Sequence, residues 1–371
     1  MAQPARLIRE VAHELDIDGI GITDAPELFE AIQRVDQLKA RHPDVSDAYK
    51  GFHFEKFFAP RRHLKSVRSI ISAFQCHFTG DAGPVEPTSG VIASYTRSNH
   101  YEDLRRKLKE LANFISREFG ARAKVFSCYV SLAEKPIAER AGIGFYGKNG
   151  IIVTPSFGSM VVIGEILTDL ELEPDEPIPE SCKDCSICIE ACPTRAIIHP
   201  YVVDRTKCLQ YMSERRCTIP MEIRQIWGNR LYGCTICQDV CPRNASVRPV
   251  KRRVEIGRVG SAIPLEEIIN IDQVTFETRF ANNQIGMRER NAIRRNAIIA
   301  AGNSLSEAVL PPLLIAAEDP DPMIRQHAYW AITRLTGRRA RGLLEKALAS
   351  ERSHKIKEEI KTMLDGLDTL G

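Results

Sequence analysis

Eight of the 11 cysteines, all between residues 182 and 241, form two runs whose spacing is typical of iron–sulfur proteins. The first run is Cys182-x2-Cys185-x2-Cys188-x3-Cys192, followed by a proline. The second is Cys208, then Cys234-x2-Cys237-x3-Cys241, also followed by a proline. A two-residue spacer lets successive thiolates reach two corners of one small cluster, whereas the last cysteine of each run turns toward a neighbouring cluster.

This spacing predicts two 4Fe–4S clusters, each of which takes one ligand from the other run. One set of predicted ligands is Cys182, Cys185, Cys188 and Cys241, and the other is Cys192, Cys208, Cys234 and Cys237. Structural zinc also uses CxxC pairs, but four ligands per ion leave the third cysteine of CxxCxxC and both Cys-Pro endings without a use. A disulfide framework is favoured even less. The pattern therefore indicates one-electron transfer.

The bulk composition indicates an ordinary soluble protein of more than one domain. At 371 residues the chain exceeds the size at which a single core usually stops growing. The N-terminal segment is amphipathic and lacks the apolar core of a signal peptide. The best apolar run, Met160–Leu167, is interrupted by Glu165 and is too short to span a membrane. We expect a cytoplasmic protein without membrane contact, in a compartment that keeps thiolates reduced.

Charge is unevenly distributed along the chain. The formal net charge is +3, but residues 205–341 contain 22 Lys and Arg against 13 Asp and Glu. Twenty of those 22 are arginines, which suit bidentate phosphate contacts and stacking on bases. This asymmetry indicates a nucleic-acid partner. A basic solvated face with ion pairs is an equally open interpretation.

The hydrophobic patterns predict an α+β chain. Residues 1–170 alternate helix and strand patterns, as in an α/β domain. Apolar residues at helical spacing predict a helix at Tyr101–Phe119. Short apolar runs predict buried strands at Ser69–Phe74 and Ile151–Thr154.

The remaining segments are distinguished by composition and by an internal repeat. The Ile-Arg-Arg-Asn-Ala sequence that starts at Ile293 is echoed by Ile-Arg-Gln-His-Ala from Ile324, 31 residues later. Such a period predicts helical repeats of the HEAT type, which usually form binding surfaces, and Asp-Pro-Asp-Pro at 319–322 predicts a helix start. The predicted domains are an α/β domain (1–170), an acidic proline-containing linker (171–180), a two-cluster ferredoxin-like module (181–245), a connecting segment (246–284) and HEAT-like repeats (285–371).

Gly142 to Gly147 spell GxGxxG, but the context differs from that of a dinucleotide fingerprint. That fingerprint follows a strand and opens a helix. Here residues 134–141 look helical and a strand follows, so Gly142 is predicted to end the helix. Lys148, just beyond, lies in the loop that leads to the strand at Ile151–Thr154 and is a candidate contact to the amides or phosphate of a cofactor. A loop that is only a structural turn is an equally open interpretation.

Several segments, taken together with the cysteine pattern, resemble epoxyqueuosine reductase. They are AERAGIGF (138–145), GKN (147–149), GEILT (164–168) and GNRLYGC (228–234). The resemblance runs from about residue 5 to the C-terminal repeats. It implies a cobalamin-dependent enzyme, related to reductive dehalogenases, that removes the epoxide oxygen of epoxyqueuosine in a tRNA anticodon loop. It also implies an N-terminal cobalamin domain and a repeat tail that helps to hold tRNA. We expect a monomer that receives electrons from a flavodoxin or ferredoxin.

The resemblance also implies cofactor-contacting residues. Asn149, Ile152 and Ile163 match corrinoid-contacting positions, and Leu209 follows a cluster ligand on the path between the clusters and the corrinoid. Chemistry favours such a second cofactor, because clusters deliver single electrons whereas cleavage of a C–O bond takes two. The candidate tRNA contacts are Arg215, Arg216, Arg294, Arg295, Arg338, Arg339 and Arg341.

The chain departs from the family at Cys128, where the resemblance places an aspartate regarded as the proton donor. Three interpretations are open: the thiol is itself a proton donor, it is a ligand or nucleophile toward cobalt or substrate, or it is a buried small residue in a protein whose substrate needs no donor. Phe57 replaces a typical arginine, and Ala93 differs in a cofactor-lining stretch. The candidates to supply the missing charge are Arg61, Arg62, Arg97 and Lys148.

Cys128 keeps two further functions open. One is a corrinoid iron–sulfur reductase with a different substrate, such as a reductive dehalogenase-like or other deoxygenating enzyme. The other is a non-catalytic electron-transfer protein that reduces a corrinoid partner. Cys76 and Cys217 are expected to be structural.

Overall fold

The computed structural model describes residues 2–43, 57–80, 83–127 and 132–368. Its helices are α1 Ala2–Glu14, α2 Phe29–Arg41, α3 His100–Phe119, α4 Glu134–Arg140, α5 Ile187–Glu190, α6 Leu209–Glu214, α7 Met221–Ile226, α8 Ile236–Asp239, α9 Glu266–Ile269, α10 Gln273–Phe280, α11 Arg290–Ser304, α12 Leu310–Ala316, α13 Pro322–Thr336, α14 Arg341–Ser350 and α15 His354–Asp368. Its strands are β1 Gly19–Asp24, β2 Ser69–Cys76, β3 Ser89–Ile92, β4 Ala123–Ser127, β5 Phe145–Tyr146, β6 Ile152–Val153, β7 Val161–Thr168, β8 Ile197–His199, β9 Val202–Val203, β10 Arg230–Tyr232 and β11 Ala262–Pro264. This mixture confirms the predicted α+β class. No helix in the described part of the chain is long and apolar enough to cross a membrane.

The first of two compact units is built around an antiparallel sheet. The unit comprises Met1–Gly80, Asn99–Cys208 and Thr235–Ile256. Its four strands lie in the order β1-β2-β7-β4. Seven of the eight residues of β2 are buried. Helices cover both faces of the sheet, so the side chains that point to either face are shielded from water.

Helices cover both faces of this sheet. On one face, Ile8 of α1 and Leu104 of α3 pack against Ile71 and Ile166. On the other face, α4 packs through Ile137. The result is three layers, with the two central strands shielded from water.

Helix α3 shows why the periodicity could be read from the sequence. Its apolar positions at helical spacing are all buried. The Asn99 side chain accepts a hydrogen bond from the Glu102 amide at the N-terminus, and Gly120 ends the helix at φ +65° in the left-handed region. The predicted helix is confirmed, beginning one residue earlier than expected.

The glycine-rich segment has the predicted helix-before-strand context. Helix α4 ends at Arg140, and Gly142 follows with φ +69°. A Cβ atom at this position would come within 2.5 Å of the Glu176 carbonyl oxygen, so only glycine fits. Strands β5 and β6 then form a short antiparallel pair.

The second compact unit comprises Asp81–Ser98, Leu209–Cys234 and Gly257–Gly371. In its small sheet, β3 pairs in parallel with β10 and antiparallel with β11. Its core joins Trp227 and Phe276 to the apolar faces of α11 and α13. The domain boundaries drawn from the sequence stay predictions.

The C-terminal helices repeat an ion pair along with their sequence. Helix α13 begins after Asp321, whose side chain accepts from the Met323 amide, as the Asp-Pro-Asp-Pro motif predicted. Arg294 donates to Asp319 at 2.6 Å, and Arg325 donates to Glu351 at 2.9 Å. Each echoed arginine therefore reaches a carboxylate just beyond the next helix.

Candidate iron–sulfur and cofactor site

The predicted cluster ligands are half-buried thiols that form no disulfide. Seven of them lie in the first unit, and Cys234 is the last residue of the 209–234 segment of the second unit. Within the first unit, the short helices α5 and α8 that carry the CxxC motifs pack against each other. Half-burial suits such thiolates, because the cluster is shielded while electrons can still reach it.

The first predicted ligand set shares one neighbourhood. Burial raises the pKa of the Cys188 thiol, and the negative charges of Cys182, Cys241 and Cys185 raise it further. These are the four residues assigned to one cluster by spacing. Among the described residues, no three His, Cys, Asp or Glu side chains converge on a point that fits a single metal ion. A 4Fe–4S cluster spreads its thiolates over the corners of a cube and so needs a wider set than zinc does.

One ligand of the second set already receives a hydrogen bond. The Ala196 amide donates to Cys192 Sγ at 3.2 Å. Amide hydrogen bonds to ligating sulfurs are one of the means by which a protein sets the potential of a cluster. The turn after Cys192 therefore both orients this sulfur and stabilises its negative charge.

A buried polar network holds the end of the second cysteine run. Asn244 Oδ1 accepts from the Ser159 amide at 2.8 Å, and Asn244 Nδ2 donates to Ser159 Oγ at 2.9 Å. Gln238 Nε2 donates to the Ser159 carbonyl at 2.8 Å. Gly158 has φ +53°, and a Cβ there would lie 2.0 Å from Asn244 Oδ1. The chain around Cys237 and Cys241 is thus fixed to the loop before β7.

The Gly147–Gly150 turn places Asn149 beside the cysteine run. Asn149 is almost fully buried, and its Oδ1 accepts from the Ile151 amide at 3.2 Å. Its Nδ2 lies 3.4 Å from the carbonyl oxygen of Cys237, to which it donates. Lys148 is half-buried, and its carbonyl accepts from the Tyr201 amide at 2.9 Å. The GKN segment therefore links the glycine-rich turn to the cluster-binding chain.

The other candidate cofactor residues occupy different surroundings. Ile152 is buried in a small cluster with Ala138 and Ala141, and Ile163 packs against the same cluster half-buried. Leu209, by contrast, belongs to the second unit, where it is buried in the core at the start of α6.

Among the positions that depart from the resemblance, Cys128 lies outside the described residues. Phe57 packs edge-on against Phe58 with ring centroids 5.4 Å apart, so an apolar contact takes the place of a charge. Ala93 is buried, and a Cβ on Gly233 would lie 2.5 Å from its own Cβ. Of the four candidates for the missing charge, Arg61 and Arg62 are exposed, and Arg97 and Lys148 are half-buried.

Comparison with known proteins assigns the modules. The family model for a 4Fe-4S double cluster binding domain matches residues 181–244, and the model for HEAT repeats matches residues 287–364. The epoxyqueuosine reductase of Bacillus subtilis is 32% identical over 375 residues, covering 98% of this chain and 95% of that one. The epoxyqueuosine reductase of Staphylococcus aureus is 30% identical over 370 residues, covering 98% and 96%. The chain belongs to the epoxyqueuosine reductase family.

Solved structures of family members have the same fold. A crystal structure of epoxyqueuosine reductase with an epoxyqueuosine-modified tRNA-Tyr stem loop superposes with a TM-score of 0.89 at 30% identity, covering 99% of both chains. A Bacillus subtilis structure whose catalytic loop is swung out of the active site gives a TM-score of 0.87 at 30% identity, covering 98% of this chain and 99% of that one. The predicted family, the oxidoreductase class, the double-cluster module and the HEAT repeats are therefore confirmed.

The residues present fit the cofactors of this family. Eight cysteine thiols lie at the spacing that two clusters require, and none of them forms a disulfide. A corrinoid has an apolar ring edged with amides, and on the first unit Ile163 offers half-exposed apolar surface while Asn149 offers an amide with spare donor and acceptor capacity. The role of each of these side chains stays a prediction.

Two of the predicted tRNA contacts are buried. Arg294 donates to the Ile269 carbonyl at 2.8 Å and to Asp319. Arg295 has no exposed surface and donates to the carbonyls of Met212, Arg215 and Cys217. Burial lowers the pKa of Arg295 to about 10. In these positions both guanidinium groups are used to hold the fold together, because burial and internal partners keep their donors from a phosphate.

The other five arginines have at least part of the side chain at the surface. Arg215 stacks on the Tyr211 ring at 4.8 Å, and Arg216 pairs with Asp321 at 2.9 Å. Arg339 pairs with Glu307, and Arg341 pairs with Asp368. Arg338 is exposed on the same short turn as Arg339. The pairs of Arg339 and Arg341 are exposed and worth little in stability, so these two arginines are free to change partner, whereas Asp321, the partner of Arg216, is buried.

Sequence reasoning missed the carboxyl group of Glu165, which it treated only as a break in an apolar run. Glu165 lies in the middle of β7 with no exposed surface. A single acid inside an otherwise apolar strand was the available signal, because such a charge is rarely buried without a reason.

Proposed function

We propose that this protein reduces epoxyqueuosine to queuosine in tRNA, with two 4Fe–4S clusters and cobalamin as cofactors. The observation that carries the proposal is the similarity to epoxyqueuosine reductases over 98% of the chain. The cysteine set gives this similarity its chemical content, because all eight thiols for two clusters are present.

The reaction removes the epoxide oxygen as water and leaves a carbon–carbon double bond, which consumes two electrons and two protons. The clusters supply electrons one at a time, and cobalamin, when bound, supplies the pair to the substrate. The cysteine runs hold the clusters, and Asn149 fixes the glycine-rich turn to the chain at Cys237. The central strands β2 and β7 are largely buried. They keep water out of the interior of the first unit, which supports the cluster-binding chain.

The partners follow from this chemistry. An external protein of the flavodoxin or ferredoxin class supplies the electrons, and the enzyme acts as a monomer in the cytoplasm. The tRNA surface includes the exposed arginines 215, 216, 338 and 339 and the half-buried Arg341, and excludes the two buried ones. Arg215 is the strongest of these candidates, since its stacking on Tyr211 presents a planar cation and a ring to a nucleic acid.

The proposal is tested with anaerobically purified protein reconstituted with iron, sulfide and cobalamin. It should contain about eight irons, as two clusters require, and convert an epoxyqueuosine-containing tRNA stem loop to the queuosine form under a low-potential reductant. Mass spectrometry of the digested RNA measures the loss of one oxygen. Retention of cobalamin and clusters without any conversion would contradict the proposal.

Cys128 supports a second candidate, a corrinoid iron–sulfur reductase acting on another substrate. The discriminating series is Cys128→Ala, Cys128→Ser and Cys128→Asp. If the natural protein is inactive on the stem loop and Cys128→Asp gains activity, the second candidate is favoured. If the natural protein is active and Cys128→Ala is not, the thiol takes part in epoxyqueuosine reduction. Cys128→Ser then shows whether the thiol is needed as an acid or only as a hydrogen-bond donor, because serine keeps the donor and loses the acidity.

A further inference from the structure

The carboxyl group of Glu165 is buried without a full set of hydrogen-bond partners. Its Oε1 accepts from Ser72 Oγ at 3.3 Å, across the β2–β7 pair. Its Oε2 is buried and has no hydrogen-bond partner. An ionised carboxylate in such surroundings would be strongly destabilised, whereas a protonated one is tolerated.

The electrostatic surroundings favour the protonated form. Burial raises the pKa of Glu165 well above its usual range, and the negative charge of Glu134 in the first turn of α4 raises it further, while the Ser72 hydrogen bond opposes them. Two neighbouring carboxyl groups cannot both ionise easily, so these surroundings favour the protonated form of Glu165.

Other charged groups on this face interact elsewhere. Lys124 Nζ lies over the Phe126 ring and donates to the His63 carbonyl, and the His63 ring packs against Phe126. On α4, Glu139 pairs with Arg34, and Arg140 donates to Thr23. Lys135, the next residue on α4, donates to the Gly150 carbonyl at 2.7 Å. Among the described residues, Glu134 is the charged group that raises the pKa of Glu165.

Glu165 also lies beside the proposed cofactor positions. Glu165 lies two residues after Ile163 on β7. Side chains two residues apart on a strand point to the same face, so these two share a face of the sheet. Glu165 pairs in register with Phe126 of β4, two residues before position 128. Glu134, whose charge acts on Glu165, is itself half-buried and so in reach of solvent.

We propose that Glu165, together with Glu134, stores a proton for epoxide reduction. This inference rests on the proposed function. The reaction needs two protons for the oxygen that leaves as water, together with two electrons from the ferredoxin- or flavodoxin-class donor. Glu165 releases one of these protons through Glu134, solvent supplies the other, and Glu165 is reprotonated from solvent after turnover. It does not touch the substrate, and it compensates for the carboxyl group that position 128 lacks.

The test compares Glu165→Gln, Glu134→Gln and the control Glu139→Gln, an acid on the same helix that is paired with Arg34. Single-turnover rates on the stem loop are measured against pH with the pre-reduced holoenzyme. The rate of the natural enzyme should fall as Glu165 loses its proton at high pH. Glu165→Gln should lower the rate about 10²-fold and abolish this fall, as loss of a proton source does. Glu134→Gln should lower the rate, because an amide cannot pass the proton on. It should also move the fall to lower pH, because it removes the charge that raises the pKa of Glu165, whereas Glu139→Gln should leave both rate and fall in place.

A readout independent of turnover is the infrared band of a protonated carboxylic acid in the holoenzyme, which should be present at neutral pH and absent in Glu165→Gln. A missing band, or a pH profile that neither variant changes, overturns the proposal while leaving the proposed function intact. If Glu165→Gln does not fold, the shift in Glu134→Gln decides. Failure of the natural enzyme to convert the stem loop overturns the proposed function, and with it this role of Glu165.

Discussion

Asn244 and Ser159 form two hydrogen bonds with each other. The Ser159 amide donates to Asn244 Oδ1 at 2.8 Å, and Asn244 Nδ2 donates to Ser159 Oγ at 2.9 Å. Asn244 comes three residues after Cys241, and Ser159 lies just before β7. The pair therefore connects the second cysteine run to the central sheet of the first unit. This connection makes the cluster site dependent on a polar contact outside it.

Asn244→Ala should weaken cluster retention as well as stability. The change leaves the Ser159 amide without its acceptor in a buried site, which costs about 1–3 kcal/mol. We expect a lower Tm and faster loss of iron during anaerobic gel filtration. Ser246→Ala, at an exposed position two residues away, is the control and should match the natural protein. Unchanged iron content and Tm in Asn244→Ala would mean that the cysteine run holds its position without this contact.

Cysteine variants should show that the two runs exchange a ligand. Cys188→Ser and Cys241→Ser affect the same predicted cluster, so each single variant and the double variant should retain about four irons, one cluster's worth. Cys188→Ser combined with Cys192→Ser should damage both clusters. Iron content and electron paramagnetic resonance of the reduced protein distinguish these cases. A double Cys188→Ser, Cys241→Ser variant that loses both clusters would contradict the assignment.

Arg294→Ala and Arg215→Ala should fail in different ways. Arg294→Ala leaves Asp319 without its partner in a mostly buried pair, and breaking such a pair costs about 3–5 kcal/mol. We expect a large drop in Tm. Arg215→Ala should leave Tm unchanged, weaken tRNA binding and reduce the slope of log affinity against log salt by about one unit if it contacts a phosphate. Thermal unfolding and a salt series of binding measurements check both, and an unchanged salt slope would remove Arg215 from the proposed tRNA surface.

His100 should make stability fall in mild acid. Burial lowers the pKa of this imidazole to about 4, against 6.5 for the free side chain. The folded protein therefore binds fewer protons than the unfolded chain between these values, and stability decreases as pH falls below 6.5. Between pH 7.5 and 5.5 the contribution of this imidazole to the loss should be about 1 kcal/mol.

The measurement is anaerobic thermal unfolding of the holoenzyme at both pH values. His100→Gln should reduce the pH dependence, and exposed His13→Gln should leave it as it is. If His100→Gln retains the full pH dependence, another group is responsible.

Local patterns predicted the elements better than the roles of individual side chains. The helix predicted at Tyr101–Phe119 is found at His100–Phe119, because its apolar spacing and its terminal glycine are both local signals. The strand predicted at Ile151–Thr154 is shorter, Ile152–Val153, since the adjoining turns take up its ends. The eight cysteines were recognisable because a ligand set depends on spacing along the chain.

The partners of buried charged residues could not be predicted in this way. Arg295 donates to carbonyls about 80 residues away in the sequence, and no local pattern encodes that distance. For Arg294 a signal existed: its echo at Arg325, 31 residues later, marked a residue that belongs to the repeat itself. Residues that recur with a structural repeat usually join its units, whereas ligand contacts need not recur.

The recurring pairs Arg294–Asp319 and Arg325–Glu351 make the helical tail modular. Each helical repeat carries an arginine whose ion pair joins it to the turn that leads into the next repeat. A whole repeat can therefore be duplicated or deleted together with its own ion pair. A single-residue insertion inside a helix would instead rotate the arginine by about 100° around the helix axis, away from its carboxylate. The length of the tail can therefore change in steps of one repeat, and the span of RNA within its reach would change in the same steps.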